Sequence, residues 1–378
     1  MNLEAARRVR EAIAARAAGD WDGGFVPENF TDLRATELPE LTVPTDLGGP
    51  GAGIVAASAA VREIAAGDAS TGLVLAMHYI HTTRLFARPE ARTPAVEKLA
   101  ARILADRELV ALVASEQRSG APSRGAPIRT TATRTADGGW RLDGAKSYAT
   151  GARAAGTIVI VATLADGSGR RGHFLVPRTS PGLTVIEAWD AAGLRGSDSQ
   201  DLRLDGVRVD EDALVETVEA DGRAADVTQP VWWPLMLASM HLGVAEAARA
   251  EALRFADGPR TDGRPGLLKH TERIRDRAAR AELKLLTARA LLDDALRTAE
   301  AGTLTPARAG AVKVLVHRYA SAVVDQCGQL IGAASMRLSS PIQRYYRDLR
   351  VALHNPPAED TVLAQLATEV LGPTEGQS

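Results

Sequence analysis

Histidine side chains occur in two contexts where they could do chemistry. His354 follows a helical stretch in the run LHNP, and His78 and His81 lie three residues apart in an apolar segment. A histidine can hold or release a proton near neutral pH. A lone histidine where a loop meets a helix is also typical of a capping or surface residue. The residue types alone therefore leave both interpretations open.

Carboxylates and the cysteine are less suited to catalysis. Glu359 and Asp360 follow a Pro-Pro pair that should start a helix, and acids in a first helical turn complement the helix dipole. The one cysteine, Cys327, lies in an apolar helical stretch, which excludes an intrachain disulfide and a thiolate-rich metal site. We therefore predict no metal site and interpret Cys327 as a buried structural thiol.

Charge and hydropathy argue against several classes of partner. The formal net charge is -2 over 378 residues, with both signs mixed along the chain. No basic face suggests a nucleic acid or a membrane surface. No apolar run approaches the roughly eighteen residues of a transmembrane helix, and the N-terminal residues lack the apolar core of a signal peptide. We expect a folded, cytoplasmic protein.

The spacing of apolar residues changes twice along the chain. Residues 1–107 show the three- and four-residue spacing of helices, whereas residues 108–218 show short alternating runs separated by Asp-Gly turns. Long helices return in residues 225–378, and a four-helix bundle is their natural assembly. The predicted fold class is therefore α+β: an N-terminal helical domain, a central antiparallel β-barrel domain and a C-terminal bundle.

Individual elements follow from the same patterns. Thr93-Pro94 and Thr305-Pro306 predict helix starts, a capping hydroxyl followed by proline at the first helical position. The predicted helices are residues 54–66, 71–86, 95–104, 235–256, 271–301, 306–334 and 358–371. The predicted strands are residues 128–134, 140–142, 157–163 and 202–209.

Four segments carry a recognisable pattern in a fixed order. They are residues 43–51 (VPTDLGGPG), 115–120 (SEQRSG), 142–151 (LDGAKSYATG) and 193–209, which begin GLRGS. In this order they resemble the Gly-Gly turn, the flavin-facing loop, the Thr-containing strand and the Gly-x-Arg-x-Ser strand pair of the acyl-CoA dehydrogenase superfamily. The resemblance covers nearly the whole chain and implies the same order of helices, barrel and helices.

The resemblance implies a flavin cofactor. On the matched segments, Ser115, Tyr148 and Thr150 would supply the slot, the aromatic wall and the polar contacts of the flavin ring. Gln329 and Gly332 match a family sequence that approaches the dinucleotide of a neighbouring subunit, which implies a homotetramer. The family's Arg-x-x-Phe-Gly stretch is not recognisable around residues 255–263, so FMN stays open beside FAD.

The carboxylate base of the family's dehydrogenases has no counterpart at either usual position. Most members place a glutamate directly after an Arg-Asp-x-Arg signature, where residues 351–357 read VALHNPP, and a second subgroup places it where Trp233 stands. Loss of a positioned base typically slows proton transfer by about a hundred- to ten-thousand-fold. The LHNP run instead resembles the reduced-flavin-dependent monooxygenases of the superfamily, the dibenzothiophene monooxygenase branch.

Membership of that branch would imply a particular chemistry. Its enzymes accept reduced flavin from a separate reductase, form a C4a-hydroperoxyflavin with oxygen and oxygenate a small organic substrate. By this resemblance His354, His78 and Thr150 are the candidate catalytic groups, and His81 and the other histidines are interpreted as structural.

Two other functions stay open from the sequence. One is an acyl-CoA or acyl-carrier-protein dehydrogenase with a relocated base, which the architecture also suits. The other is a non-catalytic partner subunit of a hetero-oligomeric dehydrogenase, since some members of the family share a site between chains.

Overall fold

The N-terminal part is helical, as the sequence predicts. The computed structural model describes residues 3–19, 24–117, 126–219, 229–260 and 264–372. Its first five helices are α1 (Leu3–Gly19), α2 (Pro27–Arg34), α3 (Ile54–Gly67), α4 (Ala69–Phe86) and α5 (Pro94–Asp106). Asp68 caps α4, because its Oδ2 accepts from Thr71 N at 2.8 Å. Helix α5 begins at Pro94 as predicted, but the Thr93 hydroxyl donates to Asp212 O at 2.9 Å instead of capping the helix.

The central part is one mixed sheet. Its strands are β1 (Val110–Val113), β2 (Thr131–Arg134), β3 (Trp140–Ala149), β4 (Thr157–Leu164), β5 (Arg171–Pro177), β6 (Leu183–Ile186), β7 (Gln200–Val209) and β8 (Leu214–Val218). They run in the order β6-β7-β3-β2-β4-β5-β8, and β1 pairs with β4. Because β6 and β8 are the two ends of this order, the sheet is not a closed barrel.

The prediction of a purely antiparallel barrel is therefore wrong in two respects. Besides staying open, the sheet contains parallel pairs, because β4 runs parallel to β1 along Val110 to Val113 and to β2 at Thr131 and Ala132. The remaining pairs, such as β3 with β7 and β4 with β5, are antiparallel. Alternation of buried and exposed residues reports which face is buried, not the direction of the neighbouring strand.

The C-terminal part contains five α-helices within the residues described. They are α6 (Gln229–Ala256), α7 (Glu272–Glu300), α8 (Pro306–Ile331), α9 (Pro341–Ala352) and α10 (Glu359–Leu371). Helix α9 was not among the predicted elements, since its twelve residues are rich in arginine and tyrosine. Thr305 caps α8 as predicted, accepting from Arg308 N at 3.3 Å. Cys327 is buried, and burial raises the pKa of its thiol to about 12, which suits a structural thiol.

The N-terminal and C-terminal helices share one hydrophobic core. Buried residues of α1, α3 and α4 belong to the same apolar cluster as those of α6, α7 and α8. Between α3 and α6 the hydroxyls of Ser58 and Ser239 lie 2.7 Å apart. None of the described helices is long and apolar enough to cross a membrane. The shared core fixes α4 between α6 and the sheet, and α4 carries one side of the candidate site.

Candidate functional site

The end of β3 forms a left-handed turn that presents an aromatic ring. Tyr148 has a φ of 62°, uncommon for a residue with a side chain, and it is 65% exposed. Its ring meets Trp189 edge-on, with centroids 6.3 Å apart. Gly151 has a φ of 73°, and a β-carbon there would lie 2.9 Å from Val74 Cγ1. The turn therefore requires glycine, and it leaves the Tyr148 ring exposed beside Trp189.

A chain of hydroxyl groups orders the Thr150 side chain. Thr150 Oγ1 lies 3.0 Å from Ser199 Oγ, which lies 2.9 Å from Ser197 Oγ. Gly151 N donates to Ser197 O at 2.8 Å, so the turn after β3 is joined to the segment before β7. Ser197 belongs to the GLRGS segment, whereas no sequence signal identified Ser199.

Ser115 is held by a backbone hydrogen bond, and the next residue, Glu116, forms a buried ion pair with Lys146. The Ser115 carbonyl accepts from Ser147 N at 2.9 Å, and Glu116 Oε1 accepts from Lys146 Nζ at 2.7 Å. Burial lowers the pKa of Lys146 to about 8. Burial alone would raise the pKa of Glu116, but the bonds from Lys146 and Thr130 outweigh it and the pKa is lowered. The pair holds the end of β1 against β3; residues 118–120 of the predicted flavin loop lie outside the described residues.

His78 is a structural residue in this arrangement. Its Nδ1 accepts from Val110 N at 3.0 Å, and its Nε2 donates to Pro39 O at 2.6 Å. This assigns a neutral ring with its proton on Nε2. Complete burial lowers the pKa of His78 to about 4. Both nitrogens serve to join α4 to the backbone of its neighbours, so we do not retain His78 as a catalytic group.

His81 and Trp233 form a pair whose polar atoms are unused. Their ring centroids lie 5.6 Å apart in an edge-to-face arrangement, and His81 is 2% exposed. Neither His81 Nδ1 nor Trp233 Nε1 has a hydrogen-bond partner among the described residues. Burial, with help from the charge of Arg84, lowers the pKa of His81 to about 3, so its ring is neutral. The sequence interpretation of His81 as structural missed this contact, which depends on how α4 packs on α6.

An ion-paired cluster holds the start of α6 in place beside that pair. Arg84 Nη2 lies 2.7 Å from Glu216 Oε2, and His173 of β5 places its Nδ1 2.9 Å from the same oxygen. Arg84 Nη1 also donates to Gln229 Oε1 at 2.6 Å. Burial opposes the charge of Glu216, but its two partners lower its pKa to about 2.

His354 lies exposed on the loop between α9 and α10. The loop is held from beneath by Lys313 of α8, whose Nζ donates to Asn355 O at 2.6 Å and to Pro357 O at 3.1 Å. Lys313 is 2% exposed, and burial lowers its pKa to about 8. Within the described residues, no hydrogen bond or ring contact joins His354 to Thr150 or His78. The structure therefore does not bring the three predicted catalytic groups into direct contact.

Gln329 and Gly332 lie at the end of α8. Gln329 is exposed and its carbonyl accepts from Arg273 Nη1 at 3.0 Å. Gly332 follows the last residue of α8 with a φ of 80°. Arg273 thus caps the carbonyl end of α8 and leaves the Gln329 side chain on the outer surface.

One face of α4 connects the parts of the site. Val74, His78 and His81 are spaced by four and three residues, which places them on the same side of a helix. Val74 contacts the turn at Gly151, His78 contacts β1, and His81 contacts Trp233. Val74 and His81 are about 10 Å apart along the axis, from a rise of about 1.5 Å per residue. In the part of the chain that the structure describes, no group of three or more metal-ligating side chains occurs.

Three family models match consecutive parts of the chain. Residues 1–102 match the acyl-CoA dehydrogenase N-terminal domain. Residues 111–207 match the acyl-CoA dehydrogenase middle domain, and residues 234–353 match the acyl-CoA dehydrogenase C-terminal domain. The matches together span most of the sequence and follow the order found in the fold.

Curated relatives match over almost their full length. A Bacillus subtilis (strain 168) protein, YdbM, whose name assigns it provisionally to the acyl-CoA dehydrogenases, is 32% identical over 97% of this chain and 96% of its own. The amino sugar nitrososynthase DnmZ of Streptomyces peucetius is 32% identical, over 92% of this chain and 87% of its own. Dibenzothiophene monooxygenase of Mycolicibacterium goodii is 28% identical, over 93% and 89%.

Solved structures share the fold over its whole length. TdsC from Paenibacillus sp. A11-2, in complex with FMN and indole, superposes with a TM-score of 0.83 at 22% identity, covering 100% of this chain and 98% of its own. KijD3, in complex with FMN and a dTDP-linked amino sugar, superposes with a TM-score of 0.83 at 25% identity, covering 100% and 93%.

Proposed function

Because this chain belongs to the acyl-CoA dehydrogenase family, we propose that it is a reduced-flavin-dependent monooxygenase acting on a small organic substrate. The observation that carries the proposal is the chemistry at the two positions that match those of the carboxylate base in the family's dehydrogenases. Trp233 occupies one of them and packs on the neutral ring of His81. Leu353 and His354 occupy the other, on a loop where His354 is exposed.

The residues of the turn after β3 fit a flavin ring. The exposed ring of Tyr148 offers an apolar face, with the ring of Trp189 standing nearly at a right angle to it. Ser199 orders the hydroxyl of Thr150, two residues after Tyr148. When bound in reduced form, a flavin supplies the electrons that activate molecular oxygen. FAD and FMN are the two candidate cofactors, and the FMN complex of KijD3 favours FMN.

The side chains around that surface suit oxygenation better than proton abstraction from carbon. Thr150 offers one ordered hydroxyl to the flavin or to its oxygen-bearing edge. Trp233 and His81 form an uncharged pair of rings whose Nε1 and Nδ1 atoms are buried. His354 is the proton donor in the proposal, and its loop must lie over the site when substrate is bound.

Neither of two enclosed carboxylates suits the role of a relocated base. Glu216 is paired with Arg84 and His173, and its pKa of about 2 makes it a weak base. Burial raises the pKa of Asp348 to about 6, which would suit a base. However, Asp348 is 4% exposed and its Oδ1 accepts from Leu194 N at 2.7 Å, at the junction of α9 with the segment before β7. It is enclosed by protein rather than facing a substrate.

Two named relatives support the proposal and one favours its rival. The nitrososynthase DnmZ and the dibenzothiophene monooxygenase bear the names of oxygenating enzymes, whereas YdbM is named for the dehydrogenases. The rival function is therefore an acyl-CoA dehydrogenase. We further propose a separate flavin reductase as the source of reduced cofactor, a homotetramer as the working assembly, and the cytoplasm as its location.

The test is the fate of reduced flavin in the presence of oxygen. The purified chain is mixed anaerobically with reduced FMN or FAD, oxygen is added, and flavin absorbance and hydrogen peroxide are followed. We expect reoxidation at least about tenfold slower than that of unbound flavin, and faster reoxidation with more peroxide in Thr150→Val. Reoxidation at the unbound rate, or anaerobic bleaching of bound oxidised flavin by an acyl-CoA, would favour the dehydrogenase.

A further inference from the structure

We infer that Asp348 of α9 is a positioning residue for the proposed flavin site and acts through the backbone of Leu194. The inference rests on the proposed function, because it concerns the site that would bind the flavin. Asp348 is 4% exposed, and its Oδ1 accepts from Leu194 N at 2.7 Å. The bond joins a helix of the C-terminal part to the segment before β7.

Leu194 has a backbone conformation that is uncommon for leucine. Its φ of 51° lies in the left-handed region, which is disfavoured for residues with a bulky side chain. The side chain is 1% exposed and belongs to the large apolar core. Burial of the side chain and the bond from Leu194 N to Asp348 together hold this conformation.

The carbonyl of Leu194 holds an indole ring of the site. Leu194 O accepts from Trp189 Nε1 at 3.0 Å. The Trp189 ring stands edge-on to Tyr148, whose exposed face is the proposed contact of the flavin ring. Because the indole donates to the residue that Asp348 holds, loss of Asp348 would loosen the ring beside Tyr148.

The same carbonyl supports the hydroxyl groups that order Thr150. Leu194 O also accepts from Ser197 N at 3.0 Å, and Ser197 O accepts from Gly151 N at 2.8 Å. Ser197 Oγ lies 2.9 Å from Ser199 Oγ, which lies 3.0 Å from Thr150 Oγ1. Hydrogen bonds thus lead from Leu194 to the turn after β3 by two routes, the backbone of Gly151 and the hydroxyl of Thr150.

The residues just before Leu194 also contact α9. Arg347 Nη1 donates to Ala192 O at 3.1 Å. A β-carbon on Gly193 would collide with the carbonyl of Arg347, so this close approach requires glycine. Three consecutive residues, 192–194, are therefore fixed to α9.

Helix α9 also leads to the loop that carries His354. The helix ends at Ala352, and His354 follows two residues later. The bond between Asp348 and Leu194 therefore fixes the start of that loop relative to the segment that orders Thr150. It links the proposed proton donor to the proposed hydroxyl through α9.

Hydrogen exchange of the full chain without flavin tests the positioning by itself. In Asp348→Leu, Leu194 N has no acceptor, and we expect exchange in residues 149–153 to quicken by about tenfold or more. Asp348→Asn keeps an oxygen for Leu194 N and should stay within about threefold of the unaltered chain. Ile342→Ala, which removes a core side chain from the same helix, is the control and should also stay within about threefold in residues 149–153.

The unaltered chain gives a reading that does not depend on any variant folding. If the bond to Asp348 holds the turn, the amides of Leu194, Ser197 and Gly151 open together, and their protection factors should agree within about threefold. Protection of Gly151 more than about tenfold above that of Leu194 would show that the turn persists while the Asp348 bond is open. That result would overturn the inference.

Binding of oxidised FMN, followed by quenching of flavin fluorescence, tests the consequence for the site. The affinity should fall by about tenfold in Asp348→Leu, equivalent to about 1.4 kcal/mol, and Asp348→Asn should restore it to within about threefold. Thr150→Val should weaken binding in the unaltered chain but not further in Asp348→Leu, because the hydroxyl is no longer held there. An equal loss of affinity in Ile342→Ala would reduce Asp348 to a general stabilising role and overturn the inference.

The outcome is separate from that of the monooxygenase test. Faster exchange and weaker FMN binding in Asp348→Leu, with rapid reoxidation of reduced flavin in the unaltered chain, would confirm Asp348 as a positioning residue in a flavoprotein of another chemistry. Slow reoxidation in the unaltered chain, with unchanged exchange and affinity in Asp348→Leu, would overturn the inference and leave the proposed function intact.

Discussion

Buried polar side chains in this protein differ in whether all of their polar atoms have hydrogen-bond partners. His78 and His81 are both neutral and buried on one face of α4, but His78 spends both nitrogens on backbone groups and His81 does not. Asp348 likewise uses one oxygen and leaves Oδ2 without a partner among the described residues. These differences lead to opposite expectations for the stability of variants.

Replacing His78 should destabilise the fold. In His78→Phe, Val110 N and Pro39 O lose their partners in a buried place, at roughly 1–3 kcal/mol for each group. We expect the free energy of unfolding to fall by about 2–4 kcal/mol in urea denaturation. His354→Ala, at an exposed position, should change it by less than about 0.5 kcal/mol. An unchanged midpoint for His78→Phe would contradict the structural role.

Replacing Asp348 should stabilise the fold at neutral and alkaline pH. Its pKa is raised from 3.8 to about 6 by burial and by the charge of Asp68. The folded state thus binds this proton more tightly than the unfolded state, and stability is lost as pH rises from about 4 through 6. Asp348→Asn keeps the acceptor for Leu194 N without the charge.

We therefore expect Asp348→Asn to be more stable than the unaltered protein by about 1–3 kcal/mol at pH 8. The difference should shrink as the pH falls toward 4, where the aspartate is protonated. Thermal unfolding between pH 4 and 8 provides the measurement. A variant that is less stable at pH 8 would show that the carboxylate has a compensating partner.

Buried charged side chains join neighbouring elements of the structure in two places. Helix α8 holds the loop between α9 and α10 through Lys313, and the Glu116–Lys146 pair holds the end of β1 against β3. Around Lys313 lie His241 of α6, His317 of α8 and Glu359 of α10. Its described hydrogen-bond partners are two carbonyl groups of the loop.

Loss of Lys313 should loosen that loop. Lys313→Met removes both bonds while keeping an unbranched apolar stem, so we expect amide exchange in residues 353–358 to quicken by about tenfold, equivalent to about 1.4 kcal/mol. Hydrogen exchange followed by mass spectrometry measures this directly. Lys269→Met, which removes only an exposed pair with Asp257, is the control and should leave the loop unchanged. Equal exchange rates in both variants would mean that Lys313 does not hold the loop.

At the scale of the whole molecule, three leucines of α6 and α7 lie exposed at the surface. Leu283 and Leu286 of α7 are 67% and 54% exposed, and Leu253 of α6 is 38% exposed. If the proposed homotetramer uses α7, burial of these leucines would stabilise it at roughly 25 cal/mol per Å² of apolar surface.

A charge among these leucines should weaken the proposed assembly. For Leu283→Glu we expect a smaller species in sedimentation analysis, because a carboxylate would have to be buried without a partner. Leu283→Met, which keeps the apolar surface, should sediment as the unaltered chain does. An unchanged mass for Leu283→Glu would exclude this part of α7 from the interface.

The fold was largely predictable because its signals are local. Helices α3, α4 and α5 and strand β4 lie within two residues of their predicted bounds, since apolar spacing and proline starts act over a few residues. Helix α9 was missed because its polar face outweighs a short apolar one. The parallel pairing of β1 and β2 with β4 was missed because strand direction is set by distant chain crossings.

The sequence by itself determined the family and the order of helices and sheet. It also placed Trp233 and His354, rather than a carboxylate, at the positions that match those of the base in the family's dehydrogenases. The tertiary structure decided which of two nearby histidines keeps a ring nitrogen without a hydrogen-bond partner among the described residues. His78 and His81 are equivalent in sequence terms, since both lie in one apolar helix. Packing of α4 on Pro39 and Val110 uses up the first ring, whereas packing on α6 leaves the second with an unused nitrogen beside Trp233. That distinction depends on which backbone groups each ring meets, and only the folded chain brings them together.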